Sequence, residues 1–92
     1  MKLLFKNKVI GSIYNVSSEN SWNYGTFQRN DKFSDYESFF KAVICEEEFD
    51  EASFHQELLE DKNWKIDDNG NIIDICIPAI YEDGEIIFRL NL

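Results

Sequence analysis

Eight carboxylates and no Lys or Arg stand between residues 46 and 61, and Glu46, Glu47, Glu48, Asp50 and Glu51 crowd into the first six positions of that run. Side chains of this kind can gather a hard cation, because Ca²⁺ and Mg²⁺ take oxygen ligands. Their spacing works against it: on a helix only positions i, i+3 and i+4 share a face, so a consecutive run does not converge on one ion. The turn around Gly70 fails as a calcium loop at both ends. Aligning Gly70 with the loop glycine puts Lys65 at the first ligand position and Cys76 where a bidentate Glu belongs. Zinc needs three or four convergent ligands, whereas Cys45, His55 and Cys76 are scattered without short spacings. No metal and no cofactor is expected.

Catalytic patterns fare no better. His55 is the only histidine, and nothing beside it makes a nucleophile and base pair. Gly11, Gly25, Gly70 and Gly84 stand singly, without the clustering that lets a backbone cradle phosphate. Two of eighteen acids can always approach within the separation that glycoside hydrolysis requires, so their abundance carries no signal. Ninety-two residues also leave little material to enclose a substrate once a core is built. The chain is expected not to be an enzyme.

Charge is the more informative property. The formal net charge is −9, and it is regional: residues 1–30 carry Lys2, Lys6, Lys8 and Arg29 against Glu19, while residues 31–92 carry five bases against seventeen acids. A surface so negative repels nucleic-acid phosphates and anionic lipid, which bind through Lys and Arg. Neither nucleic acid nor membrane is an expected partner, and no segment nears the roughly 20 apolar residues of a membrane span. At 43% hydrophobic and 15% aromatic residues the chain can bury enough surface to offset its conformational entropy, and its length sets one domain over residues 1–92. Lys6 and Lys8 interrupt any apolar run at the start, so no signal peptide is read and a cytoplasmic location is expected. In a reducing compartment Cys45 and Cys76, each among apolar neighbours, read as buried free thiols. The sequon Asn15-Val16-Ser17 is then a coincidence.

The elements that must position these side chains follow from periodicity. Residues 2–5 and 8–16 alternate as strands about a turn at Asn7, with Gly11 marking a bulge or a close backbone approach. A polar loop over residues 17–21 leads to Trp22 and a third strand over residues 24–29. Ser34 and Glu37 form a capping box, and Tyr36, Phe39, Phe40, Val43 and Ile44 repeat at helical spacing. A second box at Ser53 and Gln56 opens a shorter helix with Phe54, Leu58 and Leu59 facing inward. Residues 64–67 and 71–77 flank the turn signal Asp68-Asn69-Gly70, Pro78 ends or bulges the second of them, and residues 79–82 and 85–90 flank Asp83-Gly84 as a two-residue type I′ turn. The expected class is α+β: elements in the order βββ-αα-βββ, an antiparallel sheet with two helices on one face.

Trp22, Tyr24 and Phe27 are either core fillers or interface anchors. If Trp22 is exposed, it supplies the contact energy that surface carboxylates cannot, because exposed ion pairs are each worth roughly 0–1 kcal/mol. Glu46, Glu47, Glu48, Asp50 and Glu51 with Trp22 therefore make the candidate surface for a basic protein partner, steered in by charge. In size, acidity and aromatic content the chain is similar to bacterial immunity proteins, which block cationic toxin nucleases by covering their substrate-facing surface. That resemblance implies a binding module and transfers no residue roles. Two competing expectations stand beside it: a homodimer formed through the apolar strand over residues 85–90, and acidity that serves solubility alone.

Overall fold

Turn chemistry at asparagine sets the first registers. Lys6 and Asn7 have φ of 50° and 67°, so β1 (Lys2–Phe5) and β2 (Lys8–Glu19) meet across a two-residue turn of the type I′ kind, whose twist suits paired strands. Asn69 and Gly70, with φ of 53° and 93°, do the same between β4 (Trp64–Asp68) and β5 (Asn71–Asp74). In this computed structural model, which describes residues 1–44 and 56–91, the remaining strands are β3 (Trp22–Arg29), β6 (Ala79–Ile80) and β7 (Glu85–Arg89). All seven form one sheet in the order β5-β4-β1-β2-β3-β7-β6 with antiparallel pairing throughout.

The last third thus supplies the four strand segments that its turn signals mark, where the order βββ-αα-βββ counted three. Its two hairpins do not pair with each other and lie at opposite ends of the sheet. The segment crossing between them contains Pro78, and it is held where the Ile77 amide donates to Asp61 Oδ1 at 2.9 Å. An antiparallel bridge between Ile75 and Leu90 then joins the continuations of β5 and β7, with Cys76 N donating to Arg89 O and Asn91 N to Asp74 O, both at 2.9 Å. The sheet consequently curls until its two halves meet. Strand β7 has β3 on one side and β6 on the other, so the free edge expected over residues 85–90 is occupied.

Two further expectations need correction. Residues 17–19 and Trp22 extend β2 and β3 instead of forming a loop, with Ser17 opposite Tyr24 and Ser18 Oγ donating to Asn23 Oδ1. Polar residues hide this hairpin end because most of them face solvent. The Asp83-Gly84 turn is a three-residue loop: Gly84 N donates to Tyr81 O, Tyr81 N to Glu85 O, and Gly84 alone takes positive φ, at 94°. Asp83 Oδ1 accepts the Glu85 amide at 3.0 Å and favours this wider form.

The helical layer differs most. A 3₁₀ turn over Phe33–Tyr36 precedes α1 (Glu37–Ile44), which is the only α-helix among the described residues. No capping box forms, because Glu37 Oε1 accepts from Arg29 Nη1 at 2.9 Å and Ser34 Oγ donates to the Asp31 carbonyl. Asn30 fixes the approach instead, donating through Nδ2 to Val9 O and accepting the Lys32 amide at Oδ1, both at 2.9 Å. The second helix gives way to a 3₁₀ turn over Gln56–Leu59, and Ser53, Phe54 and His55 lie outside the described residues. Leu58 and Leu59 do pack against the core as expected.

The core fills the inner face of the curled sheet. Phe39 and Phe40 of α1 and Phe33 before it meet Leu3, Phe5, Ile10, Ile13, Phe27, Ile66, Ile86 and Phe88 of the strands. Trp64, 0% exposed, lies 4.7 Å from the Phe5 ring centroid, 5.4 Å from Phe40 and 6.1 Å from Phe39, and its Nε1 donates to the Leu58 carbonyl at 3.0 Å. Tyr36 sets its ring edge on Phe5 at 5.3 Å.

Gly11 is the close approach anticipated in β2: a Cβ there would overlap the Phe27 ring and stand 2.8 Å from the Gln28 carbonyl oxygen. Gly11→Ala is expected to cost about 1–3 kcal/mol through overpacking, read as a lower urea midpoint at unchanged m-value. Burial, aided by the Asp35 carboxylate and opposed by Lys6, raises the Tyr36 phenol above 10.0. The folded chain then holds that proton more tightly than the unfolded chain does, so stability is intact below pH 10.0 and falls as pH rises above it. Tyr36→Phe is expected to lose less stability than the parent in denaturant melts taken across that range.

Candidate functional site

Alternation along β3 separates the aromatic residues that composition could not assign. Phe27 points inward and is buried, whereas Trp22 and Tyr24 share the outer face, with Trp22 44% exposed. Pairing registers lay that face out as three rows across β2, β3 and β7: Glu19, Trp22 and Arg89; Ser17, Tyr24 and Ile87; Tyr14, Thr26 and Glu85. The Arg89 guanidinium sits over the Trp22 ring, 5.3 Å from its centroid. This cation–π contact orients the indole while leaving much of its surface open to solvent.

The middle of the face is concave for a local reason. β2 shifts register between Tyr14 and Ser17, where Asn15 adopts φ of 55°, and the strand bulges. Opposite the bulge, Gly25 accommodates the inner layer: a Cβ there would stand 3.0 Å from Ile13 Cγ2 and from the Tyr14 carbonyl oxygen. Next to these, Asp83 of the loop over residues 82–84 and Glu85 at the start of β7 each bring up a carboxylate. The result is a trough of about 470 Å³ lined by Asn15, Ser17, Tyr24, Thr26, Asp83 and Glu85, floored by the Gly25 backbone.

Of the candidate residues, Trp22 is placed on the outer face of β3 and is exposed. Glu46, Glu47, Glu48, Asp50 and Glu51 lie outside the described residues, between the end of α1 and Gln56. Trp22 and Arg29 occupy opposite ends of β3, roughly 23 Å apart at strand rise, and α1 approaches the Arg29 end through the Arg29–Glu37 pair. The sequence reading missed Asp83 and Glu85, although the turn signal at Gly84 was visible. What it lacked was the crossing that carries this loop to the side of β3. Cys76 keeps a free thiol and is half-buried rather than buried. Among the described residues no group of three His, Cys, Asp or Glu side chains converges as a metal site, and no helix is long and apolar enough to cross a membrane.

Fold and surface together define a small α+β domain with a seven-stranded antiparallel sheet, one α-helix among the described residues, and an outward aromatic face. The chain matches no protein-family model, no curated protein and no solved structure.

The two tryptophans differ sharply in environment, Trp64 at 0% exposed and Trp22 at 44%. Iodide is expected to quench one emission component and spare the other. Trp22→Phe should remove the quenchable, red-shifted component and leave a blue-shifted emission that iodide cannot reach.

Proposed function

We propose that the chain is a non-catalytic binding module for a basic protein, of the immunity-protein kind in which a small acidic domain covers a cationic surface. The observation that carries this reading is the exposed Trp22 on the outer face of β3, an anchor available to a partner and not consumed by the core. Charge supports it, because a net −9 accelerates encounter with a cationic protein and suppresses other partners. Glu46, Glu47, Glu48, Asp50 and Glu51 add to that net charge, and long-range charge acts more on association rate than on the lifetime of a complex. Pairing of residues 85–90 with a second copy has lost the open edge on which it depended, since β7 is flanked on both sides.

The test is retention of a partner from source-cell lysate on the immobilised chain at low salt, followed by elution with rising ionic strength. One basic protein at stoichiometric yield supports the proposal; a diffuse smear of basic proteins leaving early sinks it. Trp22→Ala is expected to weaken the isolated complex about thirtyfold, the cost of an interface hot spot, with most of the change in dissociation rate. Reversal of Glu46, Glu47, Glu48 and Glu51 to Lys should slow association and abolish capture while the melting transition is kept.

A further inference from the structure

The trough on the outer face has a chemistry of its own. Its lining combines a tyrosine ring, two hydroxyls, one carboxamide and two carboxylates. All nine Lys and Arg residues of the chain lie among the described residues, and their ion pairs go to Glu57, Glu37, Glu60 and Asp74. None of them reaches Asp83 or Glu85. No Lys or Arg ion pair from within the chain therefore offsets the negative charge of the trough, at a place where the backbone bulges.

We propose that this trough receives an arginine side chain of the basic partner. The inference rests on reading the chain as a binder of basic protein, and it moves the specific contact from the acidic run to the sheet. A planar guanidinium stacks on a tyrosine ring and presents donors in a rigid fork, which the Glu85 carboxylate can accept in pairs. Its remaining N–H groups have the Ser17 and Thr26 hydroxyls and the Asn15 carboxamide oxygen as acceptors along the same wall. An ammonium offers neither the plane nor the fork, so lysine fits less well. Trp22 lies on the same face, one row from Tyr24 and two from Glu85, so a partner seated on the indole can place an arginine in the trough without leaving the sheet.

The probe is a blocked Gly-Gly-Arg-Gly-Gly peptide titrated into ¹⁵N-labelled protein at low ionic strength. Amide shifts are expected to concentrate at residues 15–17, 24–26 and 83–85. Glu85→Gln should weaken binding about tenfold, the loss of a charge-assisted hydrogen bond, and Tyr24→Leu should weaken it with the fold retained. Asp31→Asn removes the same charge elsewhere and should change binding less than about twofold. Equal weakening by Glu85→Gln and Asp31→Asn, or shifts spread over all surface acids, would overturn the trough as a site. Equal binding of the lysine peptide would overturn the guanidinium assignment. The broader reading fails separately: if no basic protein is retained from lysate while the peptide still binds at Glu85, the trough survives without that partner.

Discussion

The burial of Trp64 is the interaction on which the rest of this structure depends. Its indole touches one side chain from β1 and two from α1, and its ring nitrogen holds the Gln56–Leu59 turn by the Leu58 carbonyl. Its own carbonyl accepts the Ile75 amide, at the residue where the sheet closes. A large aromatic body worth several kcal/mol of apolar burial thus sits at the junction of strand, helix, turn and seam. Its N–H has a partner, so the burial leaves no polar group unsatisfied.

Local chemistry was legible in the sequence wherever a few adjacent residues decide the outcome. Asn7 and Asn69-Gly70 announced their turns, Gly11 announced a crowded approach, and the spacing of Tyr36, Phe39, Phe40 and Val43 announced the inner face of a helix. What stayed hidden depends on contacts distant in the chain. The capping box at Ser34 lost to an arginine eight residues before Glu37. Residues 17–19 pair with β3 although nothing in their polar composition favours a strand. The crossing from β5 to β6 is invisible locally, because Asp61, sixteen residues away, holds Ile77 in place. Trp22 was readable as a candidate anchor, yet the strand was read from residue 24, and only its start at Trp22 extends the alternation that puts Trp22 and Tyr24 on one face and Phe27 on the other.

The outer face gains its character from the same irregularities that shape the core. A bulge at Asn15 and a side-chain-free position at Gly25 let the inner layer pack tightly, and they leave a depression on the opposite surface. Core packing and surface shape are therefore two sides of one backbone adjustment, and a substitution made for one acts on the other.

The bridge between Ile75 and Leu90 also constrains when the molecule can be completed. Ile86 and Phe88 belong to the core, and β7 fills the place between β3 and β6. A nascent chain emerging from the ribosome can form the hairpin of β1 and β2 early, but it exposes the inner edge of β3 and an unfilled core until residues 85–90 have cleared the exit tunnel. Completion of the fold thus waits on residues 85–90, and the interval before they emerge is when the apolar inner surface is open to chaperones or to misassociation.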